Sequence, residues 1–217
     1  MSGGIIYFAG TRGGVGKTVM SHAACLGAIL HDRPAVYVLT DPLRELREKG
    51  RPYGVLDGKD PKKLALILEA SRKTPGLWTI IDGGGNRPAF DEEVADAVDL
   101  CIFPFRNTEE DTDVVGKDLT RIPKAIAWPT AWPTNPYAVR AARFLLDRFS
   151  EAFPLRVIGT PIPKVESSAQ LLAESLESPP TVVRNMSRKV FEVMREEFEH
   201  RASNRPPDQA DRNTSVA

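Results

Sequence analysis

Gly10-Thr11-Arg12-Gly13-Gly14-Val15-Gly16-Lys17-Thr18 is the stretch whose reading decides the fold. An apolar run, Ile5-Ile6-Tyr7-Phe8-Ala9, leads into it, and a helical pattern from Val19 to Leu30 follows. Strand, glycine-rich loop and helix in that order form the setting of a phosphate-binding loop. Glycines let the backbone wrap close to an anion with its N–H groups pointing inward, and the helix N-terminus adds a favourable field. In this reading Lys17 reaches the β- and γ-phosphates and the Thr18 hydroxyl ligates Mg²⁺. The first glycine of the usual G-x-x-x-x-G-K-[ST] pattern is replaced by Thr11. An incidental Gly-Lys-Thr in a simple turn is the competing reading, and the flanking strand and helix weigh against it.

The 217 residues suit one domain with a sizeable core, and 41% hydrophobic content suits a soluble globular protein. With 29 basic and 29 acidic residues the formal charge is zero, which argues against a wholly basic nucleic-acid coat but not against a local basic face. Cys25 and Cys101 each sit in an apolar run and read as buried free thiols of a reducing cytosol. His22, His31 and His200 are scattered and suggest no metal cluster. No charged n-region of a signal peptide is seen, and no run approaches the ~18 apolar residues that span a bilayer. A cytoplasmic protein is expected.

Outward from the loop, residues 4–9 read as a buried strand and 17–31 as the first helix, broken at Asp32-Arg33-Pro34. Ala35 to Leu39 is a second strand, which implies a right-handed crossover and a parallel sheet, with ligands beyond the carboxyl ends of the strands, where Asp41 lies. Residues 43–59 read as a surface loop with a helical turn. Asp60-Pro61 marks a helix start, running to about Lys73. Leu77 to Asp82 is a third strand closing on an acid and followed by Gly83-Gly84-Gly85, the Walker B arrangement that places a carboxylate near Mg²⁺. Helices at 92–99 and 109–121 flank a strand at 100–105, and 125–128 is a further strand. Residues 129–134, with Trp132 exposed, read as an irregular loop. Asn135-Pro136 opens a helix to about Phe149, Leu155 to Ile158 is a strand, and helices follow at 167–176 and 187–201. Residues 1–202 form the domain and 203–217 a disordered polar tail. The fold class is α/β: a single-domain P-loop NTPase with a mostly parallel twisted sheet flanked by helices.

The run Arg12-Gly13-Gly14-Val15-Gly16-Lys17-Thr18 resembles the deviant Walker A loop of the ParA/MinD family of ATPases, normally K-G-G-x-G-K-T. Asp41-Pro42 resembles the family's D-x-D-P segment, Asp82 its Walker B aspartate, and Ala97 to Pro104 its "A-D-x-v-i-i-P" strand. Thr160-Pro161-Ile162-Pro163 followed by Ser168-Ala169-Gln170 resembles the part that covers the nucleotide base. The resemblance spans residues 4 to about 176 and is closest to short ParA-type plasmid partition proteins. It implies ATP and Mg²⁺ as cofactors. The nucleotide would be bound by Thr11, Arg12, Gly13, Gly14, Val15, Gly16, Lys17, Thr18, Val19, Pro161 and Pro163, and the metal by Thr18, Asp41 and Asp82. Arg12, Lys17, Asp41 and Asp82 would be catalytic.

By the same resemblance the protein is a homodimer with ATP sandwiched at its interface. Arg12 stands in place of the signature lysine that reaches the partner's nucleotide, and its planar fork differs from an ammonium point charge. Leu39 replaces an acid, Leu43 a glutamine, Val19 a threonine, and Gly83-Gly84 a Thr-Pro pair, so hydrolysis is expected to be slow. The function implied is a partition or positioning ATPase that binds non-specific DNA in its ATP state, with a centromere-binding or adaptor protein stimulating hydrolysis. Arg184, Arg188, Lys189 and Arg195 are candidate DNA contacts, with Arg140 and Arg143 a second set; such a protein would be nucleoid-associated. The alternative is a nucleotide-gated scaffold that positions a protein complex without DNA. Membrane positioning of the MinD kind is not expected, because the Val190, Phe191, Met194 and Phe198 stripe reads as core packing.

Overall fold

The computed structural model describes residues 3–204. Its elements are β1 (Gly4–Phe8), α1 (Lys17–Ile29), β2 (Ala35–Leu39), β3 (Gly54–Asp57), α2 (Pro61–Arg72), β4 (Trp78–Asp82), α3 (Pro88–Ala97), β5 (Leu100–Phe105), α4 (Glu109–Arg121), β6 (Ile126–Pro129), α5 (Pro136–Ala152), a 3-10 helix (Glu166–Leu172) and α6 (Thr181–Ser203). Six strands form one sheet in the order β3-β2-β4-β1-β5-β6, and every ladder is parallel. Strands buried on both faces explain the unbroken apolar runs of β1, β4 and β5.

The pleat divides each strand between two cores. Ile6, Phe8, Tyr37, Leu39, Trp78 and Ile80 face α1 and α6. Ile5, Tyr7, Val38, Ile81, Cys101 and Phe103 face α2 to α5. Both cysteines are free and buried. Helix starts follow the local chemistry: the Asp60 side chain accepts from Lys62 N at 2.8 Å, and Asn135 accepts from Tyr137 N at 3.0 Å, each ahead of a proline at the first helical position. Thr108 caps α4 by accepting from Asp111 N.

Several expectations change. Residues 54–57, read as loop, form the edge strand β3, paired from Val36↔Gly54 to Leu39↔Asp57. The strand expected at 155–158 is a single bridge between Val157 and Ala127. The Arg156 guanidinium turns back onto the carbonyls of Leu119, Ile122 and Ala125, which ties this segment to the end of α4. The helix expected at 167–176 is the short 3-10 turn, because the carbonyls of Leu171 and Ala173 accept from Arg51 instead of continuing a helical ladder. Trp132 is buried rather than exposed, bridging to Pro163. α6 begins at Thr181, six residues early, because Val183 and Met186 extend its buried face. It runs through Ser203; from residue 205 on, the predicted tail lies outside the described residues.

α6 packs on α1 at backbone distance. Val190, Phe191 and Met194 are fully buried, and Trp78 meets the rings of Phe191 and Phe198 edge-on at 5.2 and 5.3 Å. A Cβ on Gly27 would lie 2.0 Å from Ser187 O and 2.6 Å from Phe191 Cβ. Gly27→Ala should therefore push the helices apart and destabilise by about 1–3 kcal/mol, with Gly27→Val worse, as read by urea unfolding.

Candidate functional site

The loop after β1 curls because its glycines permit it. Gly10, Gly14 and Gly16 have φ of 125°, 73° and 102°, values that strain any residue with a Cβ. Space around Gly13 and Gly14 is open. Lys17 lies at the centre of the curl, its Nζ donating to Gly10 O at 3.0 Å and Arg12 O at 2.7 Å. Burial pushes the Lys17 pKa down, while Asp82, Asp91, Asp118 and Asp41 act in the opposite sense. The loop is pinned on two sides. Thr11 donates through N and Oγ1 to the Asp118 carboxylate at 2.8 and 2.7 Å. Thr130 Oγ1 donates to Val15 O at 2.9 Å.

Because β4 pairs with both β1 and β2, Asp82 stands level with Phe8 and Leu39. The chain leaving each of those strands passes over it, at the carboxyl end of the sheet where ligands bind. Asp82 is completely buried. Its Oδ2 accepts from Tyr37 at 2.7 Å, and its Oδ1 has no partner. Burial pushes its pKa up to about 6, opposed by the hydrogen bond from Tyr37, by the nearby Thr18 hydroxyl and by Arg44 and Lys17. Tyr37 stacks on His22 with ring centroids 4.0 Å apart. The buried His22 is pushed down to about 3, with Arg51, Arg44 and Arg47 adding to the effect, and is neutral.

Asp41 is half-buried; its Oδ1 accepts from Leu43 N at 3.0 Å. A Cβ on Gly84 would lie 3.4 Å from Asp41 Cγ, and one on Gly85 3.9 Å from Lys17 Nζ. Thr18, Asp41, Asp82 and the Gly83-Gly84-Gly85 turn thus surround the open end of the loop. Among the described residues no group of three or more His, Cys, Asp and Glu side chains is set to hold a metal. The unpartnered Asp82 oxygen and the Thr18 hydroxyl suit Mg²⁺, which takes one or two protein oxygens and fills its shell from phosphate and water.

Arg12 is held within its own chain. Its Nη1 pairs with Glu110 at 2.8 Å and its Nε with Asp111 at 3.0 Å. Asp111 also pairs with Arg106 at 3.0 Å. Arg106 joins Val15, Gly16, Val19, Thr130 and Pro163 in lining a cavity of about 300 Å³ beside the loop. Pro161 lies outside that lining. On α6, Arg184 and Lys189 are exposed; Arg188 bonds Asn185, and Arg195 lies against Phe191 and Glu199. On α5, Arg140 and Arg143 are exposed, with Arg143 above the Trp132 ring.

Four residues of this region escaped the sequence reading: Arg44, Arg106, Asp111 and Asp118. The two acids offered a signal, being seven residues apart on one face of α4 with Val115 and Leu119. Arg44 offered none, since its partners Thr18 and Asp82 are remote in the chain, and Arg106, five residues before Asp111, has a spacing that by itself specifies no pair.

No protein-family model matches the chain, and a search of curated proteins finds no significant relative. Solved structures do match. Cobyrinic acid a,c-diamide synthase from Mycobacterium smegmatis, with bound ADP and magnesium, is 15% identical with a TM-score of 0.65, over 92% of this chain and 96% of that one. A ParA family ATPase from Chlorobium tepidum is 12% identical with a TM-score of 0.64, over 87% and 98%. The septum site-determining protein MinD from Pyrococcus horikoshii, complexed with Mg-ADP, is 14% identical with a TM-score of 0.62, over 93% and 98%. The chain therefore has the P-loop fold that ParA and MinD share.

Asp82→Asn should stabilise the protein at pH 7.5 by roughly 1–3 kcal/mol, since it removes a charge that burial disfavours. The raised folded pKa means that the cost of ionising Asp82 grows as pH rises from the ordinary carboxylate range to about 6. The gain should shrink as pH is lowered toward 4, as checked by urea unfolding at each pH.

Proposed function

We propose that the protein is a Mg²⁺-dependent partition or positioning ATPase that dimerises around two ATP molecules and holds non-specific DNA in that state. The observation that carries this reading is the glycine curl around the Lys17 ammonium, opening onto Thr18 and Asp82. Residues 11–19 would cradle the phosphates, and the cavity with Val19, Arg106 and Pro163 would take the base. Thr18, Asp82 and Asp41 would hold the metal, which when bound neutralises phosphate charge. Lys17 would bind the phosphates, and Asp41 would orient water.

Arg12 would serve the partner's nucleotide, for which it must leave Glu110 and Asp111. Leu39 is buried where an acid would face the attacking water, and slow turnover fits that loss. The likeness to the ParA family ATPase and to MinD supports this class. Arg184 and Lys189, exposed on α6, would carry the DNA contact, since Arg195 is engaged with Phe191 and Glu199.

Binding of a fluorescent ATP analogue, sizing, and binding to non-specific duplex DNA at two salt concentrations test this. Lys17→Ala should weaken nucleotide roughly tenfold to hundredfold. Arg12→Ala should keep nucleotide but lose the dimer. The Arg184→Ala, Lys189→Ala double variant should weaken DNA binding and lower its salt slope by up to about 2. A dimer that ignores DNA would overturn the DNA part, and no nucleotide binding would overturn the whole.

A further inference from the structure

The segment after β2 brings a cation into the site. Asp41 to Arg44 forms a tight turn, in which Arg44 N donates to Asp41 O at 3.3 Å and Leu43 N donates to Asp41 Oδ1. Lys59 Nζ donates to the Arg44 carbonyl, which fixes the turn from outside. Two further arginines of the segment bond the carbonyls at the end of the 3-10 helix: Arg47 donates to Leu172 O, and Arg51 to Leu171 O and Ala173 O. Arg44 turns inward instead. Its Nη1 donates to Thr18 Oγ1 and stands 3.8 Å from Asp82 Oδ2.

Those two side chains are among the three that a divalent cation would use. The Thr18 oxygen that receives the Arg44 N–H is the donor atom a metal would take. A guanidinium and a dication cannot share it, because two positive charges a few ångströms apart at a largely desolvated carboxylate repel strongly. The Arg44 side chain is 42% exposed, so solvent is open to it when it leaves.

We propose that Arg44 is the resident counter-ion of the cation site, holding Thr18 and Asp82 in the metal-free protein and competing with the divalent ion for them. Arg44 is thus a positioning residue that sets the metal concentration at which the site fills. It keeps the buried Asp82 charge paired until the metal arrives, and its displacement moves the Asp41–Arg44 turn at the same moment. This rests on the nucleotide-site reading above.

The test is a Mn²⁺ titration of the full chain in saturating ADP, following the free-ion electron paramagnetic resonance signal, with binding of fluorescent ADP in metal-free buffer measured in parallel. Arg44→Ala should fill at a Mn²⁺ concentration about threefold to tenfold lower than wild type, the range expected for losing one partly exposed contact to a charged group. Arg44→Lys, which keeps the charge, should stay closer to wild type. Arg47→Ala removes a neighbouring charge without touching Thr18 or Asp82 and should shift the midpoint less than twofold. An unchanged or higher midpoint in Arg44→Ala overturns the proposal, as does an equal shift in Arg47→Ala, which would reduce the effect to the general field. If wild type binds ADP and Mn²⁺ but the variants do not separate, this inference alone falls. If wild type binds neither, the nucleotide-site reading falls with it.

Discussion

The buried ammonium of Lys17 is the constraint on which the site depends. An ammonium taken from water must be given acceptors or opposite charge. Here the carbonyls of Gly10 and Arg12 supply the first and four surrounding aspartates the second. Those carbonyls face inward only because Gly10, Gly14 and Gly16 adopt left-handed backbone conformations. The aspartates come from four different parts of the chain: Asp41 after β2, Asp82 at the end of β4, Asp91 on α3 and Asp118 on α4. One charge at the head of α1 is thereby balanced by acids from four separate parts of the chain.

The parallel sheet makes this convergence possible. With β1 between β4 and β5, the loop emerges where the end of β4 and the inner face of α4 can both reach it. Asp118 holds the backbone and hydroxyl of Thr11, so α4 serves as the loop's second wall. Thr11 stands where a glycine is usual, and the hydrogen bond from its Oγ1 gives its side chain a role that a glycine could not fill. On the other face, the close approach of α6 at Gly27 fixes α1, and α1 carries Lys17 and Thr18.

Charge is balanced locally throughout the region. Asp111 is shared by Arg12 and Arg106, and Asp82 by Tyr37 and Arg44. Each of these two buried carboxylates thereby faces a guanidinium, which offsets part of the cost of burying its charge. The same pairings make the arginines conditional occupants, because an incoming phosphate or metal competes for the same partners. The nearly neutral overall composition of the chain gives no hint of this arrangement.

The sequence by itself determined the phosphate loop, the parallel α/β order, the acid at the end of β4 and the capped starts of α2 and α5. Each is written in a few neighbouring residues whose backbone preferences and spacing act locally, as in Gly13-Gly14-Val15-Gly16-Lys17-Thr18, Asp60-Pro61 and Asn135-Pro136. Tertiary structure alone decided that Gly54–Asp57 joins the sheet edge, that Leu155 to Ile158 contributes one bridge, and that Trp132 is buried. It also decided that Arg12 rests on Glu110 and Asp111 and that Arg44 rests on Thr18 and Asp82. Those outcomes depend on partners 18 to 99 residues away. Which partner an arginine or an edge segment meets is set by the stacking of strands and helices, and residue spacing along the chain does not carry that information.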